Sequence, residues 1–189
     1  MKIKYHGHSC FSITSNNYTI VIDPFCGVNG FKDISLSANE VITSHNHRDH
    51  NYVEGVKLTK ADSPFVVKKI SSYHDDVYGN KRGLNTITVL QAENKIIVHL
   101  GDLGHILDDA TIEQIKNCDV LMIPVGGFFT IDSKQAIEII NLVKPKNVIP
   151  MHYADDDKDY DVLDTIDNFM NLYNKPCLLV KGYEKIIEM

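Results

Sequence analysis

Residues 45 to 50 read His45-Asn46-His47-Arg48-Asp49-His50, an H-x-H-x-D-H run that sets three imidazoles and a carboxylate within six positions. Chance is a poor source, because a shuffled chain with nine histidines in 189 residues would contain the pattern only about 0.002 times. Imidazole nitrogen and carboxylate oxygen suit divalent cations, Zn²⁺ first, with Mn²⁺ or Fe²⁺ as further candidates. In extended backbone His45 and His47 point to one side. A tight turn after Arg48 aims Asp49 and His50 at a second point close by, which is an arrangement for two ions.

A two-ion site needs about three more protein ligands. His74 lies in the polar segment Ser71-Ser72-Tyr73-His74-Asp75-Asp76, Asp102 in Gly101-Asp102-Leu103-Gly104, and His152 in Pro150-Met151-His152-Tyr153. Each stands just beyond the C-terminal end of a segment that reads as a strand, and a carboxylate at Asp102 is able to bridge two ions. Two ions about 3.5–4 Å apart would acidify a water to a nucleophile, which makes hydrolysis the natural chemistry. Asp49 would orient that nucleophile, and His8 or His105 would donate a proton to the leaving group. Arg82 is a candidate partner for an anionic substrate group. The amides of Gly126 and Gly127, ahead of a helix N-terminus, are a candidate anion cradle. His99, inside an apolar strand, reads as a packing residue. The run Asp155-Asp156-Asp157-Lys158-Asp159 is not a calcium loop, since Tyr160 and Ile166 stand where such a loop needs Gly and Glu, and it reads as a solvated loop.

The elements that must position these groups follow from periodicity. Lys2 to His6, Cys10 to Thr14 and Tyr18 to Asp23 read as a strand meander with turns at Gly7 and Ser15-Asn16-Asn17. Asn39 to Ser44 is a short strand that delivers the hexapeptide. Phe65 to Ile70, Thr86 to Leu90 and Lys95 to Leu100 are further strands. After Gly101 strands alternate with helices: helix Asp109 to Asn117, strand Val120 to Pro124, helix Ser133 to Val143, strand Asn147 to Met151. Asp132 and Gln135 form a capping box, and Ala136, Ile139, Ile140 and Val143 a stripe. A last helix with Val162, Leu163, Ile166, Phe169, Met170 and Tyr173 on its apolar face precedes strands at Leu178 to Lys181 and Glu184 to Ile187.

Length and composition fit one domain over residues 1–189, with no repeat and no linker. Cys10, Cys26, Cys118 and Cys177 are scattered and read as reduced, and the N-terminus carries no signal-peptide pattern, so cytoplasmic residence is expected. No apolar run reaches the length of a membrane span. A net charge of −6 argues against long nucleic acid as a partner and favours a small molecule. Exposed edge strands leave a homo-oligomer open.

The ligand order, H-x-H-x-D-H then His then Asp then His, resembles the metallo-β-lactamase superfamily. Tyr5-His6-Gly7-His8-Ser9, Ile22-Asp23-Pro24-Phe25, Arg82-Gly83-Leu84-Asn85-Thr86, Gly101 to His105, Pro124 to Gly127 and Pro150 to Tyr153 make it similar to the small metal-dependent hydrolases of the L-ascorbate-6-phosphate lactonase-like branch. The resemblance implies an α/β fold, a four-layer αββα sandwich of two mixed β-sheets with helices on the outer faces. It also implies His45, His47 and His74 at one ion, Asp49, His50 and His152 at the other, Asp102 between them, and Asp23 bracing the ligand loop. The expected function is hydrolysis of a small anionic ester or lactone. The alternatives are a phosphodiesterase or nuclease related to ribonuclease Z, di-iron redox chemistry, and a non-enzymatic metal-dependent binding module.

Overall fold

The computed structural model describes residues 1–189. Its first strands, β1 (Lys2–Gly7), β2 (Cys10–Ser15) and β3 (Tyr18–Ile22), form an antiparallel meander. Asn16 and Asn17 have φ of 47° and 63°, the two left-handed positions of a tight hairpin that matches strand twist. Next come β4 (Leu36–Ala38), β5 (Glu40–Ile42), a single 3-10 turn at Val53–Gly55 and β6 (Val56–Leu58). The chain then lays down β7 (Val66–Tyr73), β8 (Leu84–Ala92) and β9 (Lys95–His99). Glu93 and Asn94 repeat the left-handed pair, at 50° and 56°, between β8 and β9. The C-terminal half alternates α1 (Asp109–Ile115), β10 (Val120–Pro124), α2 (Ser133–Val143), β11 (Asn147–Met151), α3 (Ile166–Tyr173) and β12 (Ile186–Glu188).

Two five-stranded mixed sheets result, in the orders β12-β1-β2-β3-β5 and β11-β10-β9-β8-β7. In the first, β3 and β5 run parallel, and in the second β9, β10 and β11 do, because α1 and α2 provide the crossovers. Ile3, Phe11, Ile13, Ile20 and Ile22 meet Leu90, Ile97, Met122 and Ile149 in a core between the sheets. The opposite face of the second sheet, with Val98, Leu121 and Ile123, packs on Ile112, Ala136, Ile139, Val143 and Phe169 of the helices. Strand β10 is buried along its whole length, as a strand covered on both faces must be.

The α/β sandwich is thus the one expected, with its helices gathered on the second sheet. Over the first sheet the outer layer is thin: Val21 and Cys10 are covered by Phe25, Val28, Ile34, Ala38 and Val56, from a segment holding only the 3-10 turn and the β4–β6 pair. Those two three-residue strands have no readable periodicity. Two C-terminal expectations also change. Helix α3 begins at Ile166 after Thr165, since Asp164 N–H is drawn to Gly126 O at 2.7 Å and Leu163 closes a turn on Tyr160 O. Residues 178 to 181 are turns, with Leu179 and Lys181 at φ of 54° and 47° and Lys181 N–H donating to the Tyr153 hydroxyl. The α2 capping box is present in both directions.

Candidate metal centre

The hexapeptide follows β5, and a turn closed by His50 N–H to His47 O at 2.9 Å folds it back on itself. Asp23, buried at the end of β3, governs two of its imidazoles. Its Oδ1 accepts the Ser44 amide at 2.7 Å, and its Oδ2 accepts the Ser44 hydroxyl at 2.6 Å and His50 Nδ1–H at 3.0 Å. Because the one hydroxyl proton of Ser44 goes to Asp23, its oxygen accepts from His45 Nδ1–H at 2.9 Å. Both imidazoles therefore turn Nε2 inward, the nitrogen through which each would bind a cation. Carboxylate and hydroxyl partners of this kind set the tautomer and raise the basicity of a ligating histidine.

The other candidates arrive at strand ends from the second sheet. Asp102 N–H donates to Asn85 Oδ1 at 3.0 Å, and Asn85 Nδ2 is tied to Leu100 O and Ser72 Oγ, both at 2.8 Å. Gly101, at φ of 57°, lets the end of β9 approach so closely that a Cβ would overlap Asn85 Oδ1. His74 is fixed by its amide to Gly83 O at 3.0 Å, and His152, at φ of 54°, by its amide to His8 O at 2.9 Å. Buried His8, Asp23 and His152 are all held in left-handed backbone, at 51°, 47° and 54°, strain that a surrounding structure must over-determine and that clusters at functional sites.

Asp102 Oδ2 is the meeting point: His50 Nε2 lies 3.0 Å away, His74 Nε2 and His152 Nε2 3.3 Å, and His45 Nε2 3.8 Å. His45, His47 and His74 bring three donor atoms within 4.8 Å of one another, as do His45, His50 and Asp102. Asp49 is joined to the cluster through His8 Nε2 at 3.6 Å and accepts the Tyr160 hydroxyl at 3.1 Å. Burial pushes His45 down to about 3, leaving a neutral imidazole with a free lone pair. Burial also opposes charge on Asp102 and on His50. The imidazoles His152 and His50 outweigh it at Asp102 and hold that carboxyl well below its usual range. Asp102 and Asp23 in turn hold His50 well above the usual imidazole value. The carboxylates thus create a demand for positive charge among the nitrogens, which a metal cation meets as well as a proton.

A cavity of about 360 Å³ opens on this cluster, lined by His47, Asp49, His74, Arg82, Asp102, Phe129, His152 and Tyr160. Arg82 reaches it from the loop after β7. That loop is wound on buried Asp75, whose carboxylate accepts the amides of Val77, Gly79, Lys81 and Arg82 at 2.8–2.9 Å. The guanidinium donates to Phe128 O at 3.1 Å and lies 5.5 Å from the Phe129 ring centroid.

Several expected site residues stand elsewhere. His105 is not on this cavity: its Nε2 accepts the Tyr73 amide at 3.3 Å and its Nδ1–H donates to Ile106 O at 2.8 Å, so both ring nitrogens serve the backbone beside a neighbouring depression. Gly126 and Gly127 do not line this cavity. The Gly127 amide donates to Ile131 O, the α2 N-terminal amides are taken by the Asp132 side chain, and a Cβ on Gly126 would overlap His152 O. Gly126 packs closely behind His152, and Gly127 supplies a left-handed φ of 63° in the turn. His8 sits behind His50 and Asp49, fully buried and off the cavity wall, so it is not placed to protonate a leaving group. His99 is a satisfied packing residue, with Nε2 on Ser9 O at 2.9 Å and Nδ1 accepting the Gly101 amide.

The acidic run is not simply solvated. Asp155 and Asp159 are 5% and 2% exposed, Asp155 pairing with Lys181 and Asp159 with His8 Nδ1 at 2.8 Å. Asp159 and Tyr160 are thus the residues of this centre that sequence reasoning missed. Nothing in an acidic run tells which of its members folds inward.

The model of the beta-lactamase superfamily domain family matches residues 2–152. A UPF0173 metal-dependent hydrolase from Desulforamulus reducens is 28% identical, the match covering 81% of this chain and 84% of that protein. Another from Bacillus cereus is 29% identical, with 81% and 86% covered. A crystal structure of a metallo-beta-lactamase superfamily protein from Thermotoga maritima superposes with a TM-score of 0.73 at 34% identity, over 92% of this chain and 86% of that one. With the fold, the inward-facing imidazoles and these relatives in agreement, the chain belongs to the metallo-β-lactamase superfamily and is one of its metal-dependent hydrolases.

Proposed function

We propose that the chain hydrolyses a small anionic ester or lactone at a dinuclear centre, with zinc as the favoured ion and manganese or iron as alternatives. The observation that carries this reading is the convergence of four imidazole nitrogens on Asp102 Oδ2 at the floor of a cavity walled by Arg82. Four buried atoms of the cluster, His45 Nε2, His74 Nδ1, His152 Nδ1 and Asp102 Oδ1, have no hydrogen-bond partner in the protein. Buried polar atoms are normally paired, and a nitrogen lone pair and a carboxylate oxygen are what a divalent ion takes. His45, His47 and His74 would hold one ion and Asp49, His50 and His152 the other, with Asp102 placed to serve both. When bound, the ions supply Lewis acidity and lower the pKa of water towards about 7.

The remaining chemistry belongs to the chain. Tyr160 donates to Asp49 Oδ2 and so fixes how that carboxylate faces the cavity. Asp49 raises the Tyr160 phenol further above its usual value, after burial, so it stays a donor. Arg82 presents the cavity's cation to a carboxylate or phosphate on the substrate, while Phe129 packs against its apolar part. A volume of about 360 Å³ suits a small molecule. The test is elemental analysis of untreated protein, chelator stripping, and restoration by single ions against a panel of lactones, carboxylate esters, phosphodiesters and short RNAs. Two ions per chain with turnover of an anionic lactone or ester is the expected result. Turnover confined to RNA or phosphodiesters would move the reading to a nuclease, and full metal occupancy without turnover to a binding module.

A further inference from the structure

Behind the ligand cluster, His8 Nε2 and His50 Nε2 face one another at 3.0 Å. Each ring turns its other nitrogen to a buried carboxylate: His8 Nδ1 to Asp159 Oδ2 at 2.8 Å, and His50 Nδ1 to Asp23 Oδ2 at 3.0 Å. With Nδ1 of each ring donating to its carboxylate, two Nε2 atoms 3.0 Å apart need one positive centre shared between them, a proton or a cation. A tetrahedral ion with bonds of about 2.0–2.1 Å to nitrogen keeps its donors about 3.4 Å apart, close to the observed separation. His152 completes the group, since His8, His50 and His152 each offer a donor atom within 4.8 Å of the others.

We infer that His8, oriented by Asp159, is a direct metal ligand alongside His50 and His152, so that this end of the centre carries three imidazoles where the superfamily ligand order supplies two. The inference rests on the dinuclear reading above. The arrangement at His8 repeats that at His50, a buried carboxylate behind an imidazole, the pairing that orients ligating histidines. The backbone is built to hold it. His8 takes a left-handed φ of 51°, and its carbonyl accepts both the His152 amide and the Tyr5 hydroxyl at 2.9 Å. Asp159 is likewise left-handed, at 70°, with its amide on Asn29 O at 2.9 Å and Oδ1 accepting the Tyr160 amide at 3.0 Å. Neither His8 nor Asp159 lines the cavity, so substrate contact does not account for the pair.

The experiment compares the wild-type protein with His8→Ala, His8→Gln and Asp159→Asn for zinc retained per chain against a graded chelator, and for the visible spectrum after Co²⁺ substitution. The expected result is that both His8 variants hold one of the two ions at least about 100-fold more weakly, and that Asp159→Asn weakens the same ion about 10–100-fold. The Co²⁺ bands of that ion should shift in the His8 variants, a signature that a merely structural role would not produce. Circular dichroism of the metal-free proteins separates misfolding from ligand loss, and Asp159→Asn, which keeps the imidazole, gives the answer if the His8 variants fail to fold. Wild type with two ions and His8 variants with the same affinities and spectrum would overturn the assignment, leaving His8 as a protonated brace on Asp49 and His50. Wild type holding fewer than two ions would sink the dinuclear reading itself.

Discussion

Replacing Asp23 by Asn removes one charge and exchanges one acceptor for a donor at the point where three donors converge. The backbone should survive, since Asn tolerates the left-handed φ of 47° as well as Asp does. The hydrogen bonds cannot. If the amide oxygen takes the place of Oδ2, its NH₂ confronts the Ser44 amide, which donates to Oδ1 at 2.7 Å in the native protein. A buried amide left unpaired in this way costs about 1–3 kcal/mol. If the side chain turns over, NH₂ confronts His50 Nδ1–H, and His50 must move its proton to Nε2, the atom 3.0 Å from Asp102. That removes the inward lone pair, and loss of such an orienting partner costs about 10–100-fold in metal affinity. For a chain of this length the stability loss amounts to about 3–9 °C in Tm. The assay pairs chelator competition for zinc with calorimetry of the metal-free protein. Asp23→Asn that keeps wild-type zinc affinity and wild-type Tm would refute the claim that Asp23 sets the tautomer of His50.

Four further outcomes test separate parts of the structure. Arg82→Gln should lower kcat/KM about 10–100-fold on a carboxylate-bearing lactone, the size of one charged hydrogen bond, and much less on its neutral methyl ester; equal losses on both would remove Arg82 as the anion partner. Gly104→Ala drives a Cβ into the backbone of His74 and Asp75, so Tm should fall by the equivalent of about 1–3 kcal/mol and zinc should bind less tightly; an unperturbed variant would show that the His74 loop is free to shift. His105→Gln should keep kcat within about twofold, because both ring nitrogens already serve backbone groups, and a loss above tenfold would return it to proton transfer. Burial opposes the charge on Asp119, but Lys146 Nζ at 2.8 Å and the Ile96 amide at 2.9 Å hold its carboxyl below the usual value. A lowered folded pKa gives stability that is complete above the unfolded value near 3.8 and lost as pH falls through the folded one. Asp119→Asn should therefore narrow the acid stability loss below about pH 4, measured by urea midpoints, and an unchanged acid limb would contradict the pairing.

Local patterns carried much of this protein into view before any coordinates. Hairpins at Asn16-Asn17 and Glu93-Asn94 were legible because left-handed backbone favours such residues, and α2 because Asp132, Gln135 and a four-residue stripe are all local signals. The hexapeptide announced metal chemistry by density alone. His74, Asp102 and His152 were legible as candidates because ligands at strand ends leave a recognisable rhythm of apolar run and polar stop.

Contacts between segments distant in sequence were decided only in three dimensions. Asp159 is 151 positions from His8, and nothing near it distinguishes it from Asp156 or Asp157, which remain exposed. Whether a histidine faces the centre or the backbone depends on which partner the fold offers its second nitrogen: Asp23 turns His50 inward, whereas Tyr73 and Ile106 bind His105 in place. Sequence alone determined which side chains are able to bind a cation, because that is a property of residue type. Tertiary structure decided which of their lone pairs meet, because hydrogen-bond direction is set by neighbours the chain reaches only on folding.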